Sequence, residues 1–331
     1  MSDIYLDVTN KIVSALSQGV IPWIKPWTTS GLSADAPFPI NAITRRPYAG
    51  INIPLLWAEA RLRGYRQDRW LTYNQARKAG GHVRKGEQST LAVLYKPMSK
   101  EAHDEDDQVV RDEQGNVKMV QFALLRTHCL FNIEQTEGLP IEEQQNDEGE
   151  DTMAFIDHAP AERLLDASGA HIEHRYGDSA FYLPIRDLIQ LPTKAQFVDD
   201  YLPIRDLIQL PTKAQFVDVG SYYATALHEL THWSGHHSRL NREGITGGHA
   251  FGSAAYAFEE LVAEMGAAFL CALTGTQGEL RHEEYLASWL KILKEDKRAI
   301  FRASGLAREA SEYLLALMPD QATEATERLT A

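Results

Sequence analysis

The sequence predicts an α+β fold in two domains. Three observations lead there. The chain has 331 residues, 44% of them hydrophobic, enough for two cores of ordinary size. Helical and strand periodicities are mixed on both sides of its middle. The stretch Pro140 to Asp151, PIEEQQNDEGED, is acidic and nearly free of apolar residues, so it reads as a linker. The predicted division is a front domain at 1–138, a linker at 139–152 and a rear domain at 153–331. Charge splits along a similar line. Residues 1–100 carry 14 Lys and Arg against 6 Asp and Glu, net +8; the remainder is net -21, and the whole is -13. A basic front on an acidic chain suits an anionic partner for that half alone.

In the front domain, Ile4, Val8, Ile12, Ala15 and Leu16 share a face and predict a helix over about 3–18, stopped at Gly19. PWIKPW, Pro22 to Trp27, is a stiff extended segment. Asn41 to Asn52 is turn-rich and basic. A helix follows at 54–63, ended by Gly64, then a short one within 70–80 with Thr72 as N-cap. Thr90 to Lys96 reads as a strand and 120–131 as its return, with a polar tip or loop at 100–117.

The rear domain opens with a helix at 159–168 and strands at 171–176 and from 178. Residues 182–199, YLPIRDLIQLPTKAQFVD, then recur unchanged as 201–218. Repeat architectures diverge and come in threes or more, so an identical pair reads as a recent tandem duplication or an artefact of the sequence. One copy fills the strand position; the sequence does not choose which. Helices follow at about 222–236, 254–273, 282–303 and 306–317, before a polar tail.

The most informative stretch is Tyr222 to His236, YYATALHELTHWSGH. It holds His228-Glu229-Leu230-Thr231-His232, the H-E-x-x-H pattern. Residues i and i+4 stack on one helix face, so His228 and His232 can share one metal ion with Glu229 beside them as general base. A hydrolytic site keeps three protein ligands and an open position. The third is expected from FEELVAEMGAAFL, where Glu260 and Glu264 lie one turn apart among apolar residues. Glu260 is the expected ligand. Glu264 orients a ligand histidine or takes the ligand place itself, and Glu259 is expected to face solvent. The longer H-E-x-x-H-x-x-G-x-x-H pattern fails because Ser238 stands at its last position. Zn2+ is the expected cofactor, with another divalent cation such as Mn2+ as alternative. Tyr222, Tyr223, Tyr256 and His236 are all open as oxyanion donors. The repeated segment is the natural edge strand for a peptide substrate.

The front half interleaves aromatic residues with cations: Trp23, Trp27, Tyr48, Trp70 and Tyr73 with Lys25, Arg45, Arg46, Arg84 and Lys85. Cations that track phosphates, with ring faces for unpaired bases, suit single-stranded DNA. No apolar run approaches the ~20 residues of a membrane span, no signal peptide opens the chain, and two isolated cysteines fit a reducing cytoplasm. A membrane partner is not expected.

Taken in order, these motifs resemble one family across nearly the whole chain. PWIKPW, NAITRRPYAGIN, WLTYNQARKAGGHVRKGE and FNIEQTEGL are similar to the N-terminal domain of ArdC antirestriction proteins, shared with TraC-type plasmid primases. AFYLPIRDLIQLP, YYATALHELTHWSGH, RLNR, EELVAEMGAAFL and YLASWLKILKED are similar to the metallopeptidase-like domain of the same proteins. The resemblance implies a small α+β single-stranded-DNA-binding domain followed by a zincin-like (gluzincin) metallopeptidase domain. It implies a conjugative-plasmid protein that protects incoming DNA from restriction, with a protein substrate or the restriction machinery as further partner. It carries the metal ligands to His228 and His232, the catalytic role to Glu229 and, less directly, a third ligand to Glu260. The family pattern has one copy of the repeated segment. The competing reading is a DNA-binding shield whose metal domain is structural.

Overall fold

The first helix, α1 (Ile4–Ser17), starts where the Asp3 carboxylate accepts from the Tyr5 and Leu6 amides, and Gly19 at φ +76 takes the chain out of it. The computed structural model describes residues 3–25, 36–103, 108–111, 114–140, 158–175, 180–192, 219–247, 253–278 and 285–318. Trp27, most of the acidic linker, the second copy at 201–218 and the tail from 319 lie outside them.

A mixed sheet forms the front half. Its strands are β1 (Ile40–Asn41), β2 (Arg69–Leu71), β4 (Thr90–Glu101) and β5 (Met119–Asn132), in the order β1-β2-β5-β4. β1 runs parallel to β2 and the other pairs are antiparallel. β4 extends past the predicted Lys96, because Pro97 to Glu101 find partners in register from Ala123 to Met119. Between these strands lie α2 (Asn52–Arg63), ended by left-handed Gly64, and α3 (Tyr73–Lys78), started by a Thr72–Gln75 capping box. A small ribbon, β3 (His82–Val83) with β6 (Thr136–Glu137), closes the region.

The rear half begins with α4 (Ala159–Ser168). β7 (His171–Arg175), β8 (Phe181–Leu183) and β9 (Leu188–Pro192) form a sheet in the order β7-β9-β8. β9 and all of β8 after Phe181 come from the first repeat copy, and β7 and β8 are the two edges of this three-stranded sheet. Then come α5 (Val219–Ser234), which carries the H-E-x-x-H motif, α6 (Glu243–Thr246), α7 (Ala254–Thr274), α8 (Leu286–Glu295) and α9 (Ala299–Ala316). The predicted break near 304–305 is wrong. It falls at Asp296–Arg298, where the Asp296 carboxylate accepts from the Arg298 amide and pairs with Arg302. Gly305 stays helical because packing of Ala303, Ser304 and Ala307 outweighs its weak propensity.

The halves share one core. Val8, Ile12, Trp23, Ile53 and Trp57 from the front join Leu261, Val262, Met265, Phe269, Trp289 and Ile300 from the rear in a single cluster. Trp23 meets Trp289 edge-on with ring centroids 5.4 Å apart, and Phe38 meets Phe269 at 5.8 Å. A second cluster, with Leu164, Ile189, Leu191, Tyr222, Leu227, Leu230 and Leu314, sits wholly in the rear. Among the described residues, no helix is long and apolar enough to cross a membrane.

Candidate metal centre and basic surface

The centre is built between α5 and α7. His228 and His232, one turn apart on α5, lie with ring centroids 4.8 Å apart. Glu260 of α7 reaches between them: one carboxylate oxygen is 3.5 Å from His228 Nε2 and the other 3.5 Å from His232 Nε2. One ligand atom from each residue lies within 4.8 Å of the others. All three are buried, at 3%, 7% and 6% exposure. A buried carboxylate facing two imidazoles is costly unless it is paired or bound to a cation. Two nitrogens and one oxygen also suit Zn2+ or Mn2+, so the donor set fits a divalent metal. The helices approach closely because residue 266 is glycine; a Cβ there would lie 2.5 Å from Thr231 Cγ2.

Electrostatics follow from burial and pairing. Glu229 is 6% exposed, and burial pushes its carboxyl up to about 7, with the Tyr182 main-chain amide donating to it. For Glu260, burial favours the neutral acid, but His228 and His232 outweigh it and hold the carboxyl far below its ordinary range. Burial lowers His228. Burial opposes charge on His232 too, yet Glu259 and Glu260 raise it to about 10. Glu264, 3% exposed, has a carboxylate oxygen 3.9 Å from His228 Nδ1, behind the face that meets Glu260.

Glu259 corrects an expectation. It does not face solvent: it is 4% exposed, lies 3.4 Å from His232 Nδ1, and accepts from the Arg242 guanidinium at 2.7 Å. Among the oxyanion candidates, Tyr222 and Tyr223 are core residues. Tyr222 meets His174 Nε2 at 2.6 Å, and Tyr223 donates to Glu162. Tyr256 stands at the centre, its hydroxyl bonded to Glu260 and 3.4 Å from that of Tyr285. His236 turns to Ser238 Oγ at 2.8 Å.

The basic aromatic set divides. Trp23 and Trp70 are 0% exposed, and Lys25 is 7% exposed. Trp70 and Trp57 both donate to Asp68, whose carboxyl burial pushes up to about 6. Lys25 donates to the Ala36 carbonyl, and burial brings it down to about 8 despite Asp68. The expectation that Trp23, Lys25 and Trp70 face a ligand is therefore corrected: packing of the front half takes them. Arg45, Arg46, Tyr73, Arg84 and Lys85 are exposed, and Tyr48 is half-buried. Asn41 shapes their surface. Its carbonyl oxygen accepts from the Ile43 and Thr44 amides, its amide donates to Tyr48 and Gln75, and Arg45 takes φ +60 in the turn. Gln75 belongs to α3, so the Arg45–Arg46 turn is tied to the helix that presents Tyr73, Arg77 and Lys78.

Two known families match separate stretches of the chain. Residues 2–131 match the N-terminal domain of the anti-restriction factor ArdC, and residues 199–306 match a zincin-like metallopeptidase family. A DNA primase TraC of Escherichia coli is 38% identical over 327 residues, covering 96% of this chain and 28% of its own length. A second primase of that name matches over 20% of its length, so the chain spans roughly a quarter of these relatives. An uncharacterized protein, y4eC, of Sinorhizobium fredii is 33% identical, with 96% of this chain and 94% of that protein covered. The metal-free crystal structure of the antirestriction protein ArdC from plasmid R388 superposes with a TM-score of 0.70 at 33% identity, covering 96% and 98% of the two chains. Its Mn(II)-bound structure gives 0.68 at 31%. With both halves matched in order and a full-length structural counterpart, the chain belongs to the ArdC antirestriction family.

Proposed function

We propose that this protein binds single-stranded DNA through the exposed basic surface of its front half and hydrolyses a peptide bond at the α5–α7 centre. It would act as an antirestriction factor in the cytoplasm during plasmid conjugation. The Mn(II)-bound relative and the primase relatives support a metal and a DNA partner. In this reading His228, His232 and Glu260 hold Zn2+ or Mn2+, and Glu264 orients His228. The cation would supply positive charge that acidifies water and polarises a carbonyl. Glu229 takes a proton from the attacking water, the hydroxyl adds to the carbonyl carbon, and the C–N bond breaks as Glu229 returns that proton to the leaving nitrogen. Tyr256, whose hydroxyl is bonded to Glu260, would turn its proton to the developing oxyanion. Among the described residues β8 lies at one edge of its sheet, with the Tyr182 amide at Glu229, and substrate main chain would lie along that edge.

The observation that carries this reading is Glu229 itself, which a purely structural metal site does not need. The burial of all four site residues, 3–7% exposed, favours the second reading, a DNA-binding shield with a structural metal. Conjugal transfer into a restricting host separates the two. Glu229→Gln, which keeps the ligands, should lose protection in the first reading, as should Arg45→Glu/Arg46→Glu. If only the charge reversal fails, the shield reading stands. If the charge-reversed chain still binds single-stranded oligonucleotide at low salt, the assigned surface is wrong.

A further inference from the structure

The Glu259–Arg242 pair takes no part in the function proposed above, and its setting is specific. Arg242 is 5% exposed and makes a closed set of bonds. Its guanidinium donates to Glu259 Oε1 at 2.7 and 3.1 Å, to the Thr231 carbonyl at 2.6 Å and to Ser234 Oγ at 2.8 Å. It thereby occupies two acceptors at the end of α5, on Thr231 and Ser234, on either side of His232. Two glycines make the room. A Cβ on Gly235 would lie 2.8 Å from the Arg242 guanidinium carbon, and one on Gly244 would lie 2.6 Å from Glu259 Oε2 and 2.7 Å from its Cβ. Neither glycine has a positive φ, so what requires them is space for this pair rather than backbone conformation.

We propose that Arg242 and Glu259 form a positioning pair for the metal ligand His232: Arg242 fixes the Glu259 carboxylate, which holds the His232 Nδ1 proton and turns Nε2 toward Glu260. This deepens the metal-site reading and rests on it. Antiparallel packing of α5 and α7 gives each histidine its own carboxylate from one helix, Glu259 behind His232 and Glu264 behind His228, with Glu260 between them. Such partners fix ring orientation and tautomer, and their loss typically weakens metal binding 10–100-fold.

The test is Mn2+ titration of full-length, metal-stripped protein by calorimetry, alongside its unfolding midpoint. Glu259→Gln should weaken Mn2+ binding about 10–100-fold. That variant strands a buried guanidinium and can lose stability for that reason alone. Glu259→Gln with Arg242→Met removes both charges: the midpoint should recover and the affinity should not. Gly244→Ala, which alters no charge, should also weaken binding by crowding Glu259. Wild-type affinity in the double variant overturns the proposal and leaves only a stabilising ion pair. A wild-type chain that binds no Mn2+ would instead sink the metal reading. In that event histidine NMR of the metal-free protein decides the role of Glu259. A slowly exchanging His232 Nδ1 proton that disappears in Glu259→Gln supports the pair; one that persists overturns it.

Discussion

His228, Glu229 and His232 were legible because their relation is local: helix periodicity alone stacks the two rings. Glu260 was legible as an acid placed among apolar neighbours. Glu259 was not, since its face of α7 is buried by Arg242 from another element, and no single-helix pattern contains that contact. Burial of Trp23 and Trp70 is hidden for a related reason, because an aromatic residue beside cations looks the same in sequence whether its ring is covered or free. The carboxylates around His232 also set a pH response. Its folded-state value, about 10, lies above the ordinary 6.5. The proton it gains on folding therefore stabilises the metal-free protein fully below 6.5, and that stability is lost as pH rises towards 10. With a chelator present, thermal unfolding measured from pH 6 to pH 10 should show a midpoint that falls more steeply for wild type than for His232→Gln. Parallel slopes would refute it. Metal binding must displace that proton, so affinity should climb over the same range.

Among the elements, α7 matters most. One helix supplies Glu260, Glu259 and Glu264 to one side and Leu261, Val262, Met265 and Phe269 to the shared core. Its apolar and acidic spacing predicted its limits well, with Ser253 as cap and Gly275 as stop. Gly266 sets how near it lies to α5. Gly266→Ala would put a methyl into Thr231, forcing the helices apart at a cost of about 1–3 kcal/mol and opening the gap that Glu260 must span. The unfolding midpoint and the Mn2+ affinity should fall together; unchanged affinity would mean that the helix separation is not critical. The α8–α9 break was misplaced because a glycine is a visible stop signal, whereas the Asp296 cap works through local hydrogen bonds that outweigh it. Which repeat copy fills the β8–β9 place was not legible at all, since Tyr182 and Asp187, which grip Arg239, recur as Tyr201 and Asp206.

At the scale of the molecule, the sequence predicts two domains, and the front and rear halves pack on each other through a shared core. Sequence pattern marks which residues want burial but not which buried faces meet, so Trp23 against Trp289 could not be read in advance. The rear half made alone, from residue 153, would expose Leu261, Val262, Met265, Phe269 and Trp289 to water. At about 1.5–3 kcal/mol for each such side chain, the loss rivals the whole stability of a domain. That fragment should be insoluble or lack dispersed NMR signals, and should bind Mn2+ poorly; a well-folded, metal-binding fragment would refute the single-body description. A chain knitted together in this way also constrains how its gene can travel. Recombination between relatives that joined one front to another rear would have to match Trp23, Phe38 and Trp57 to Phe269 and Trp289 across the seam. Exchange should therefore be cheapest at the outer ends, and the longer primases that match 96% of the chain within a fraction of their own length carry both halves together.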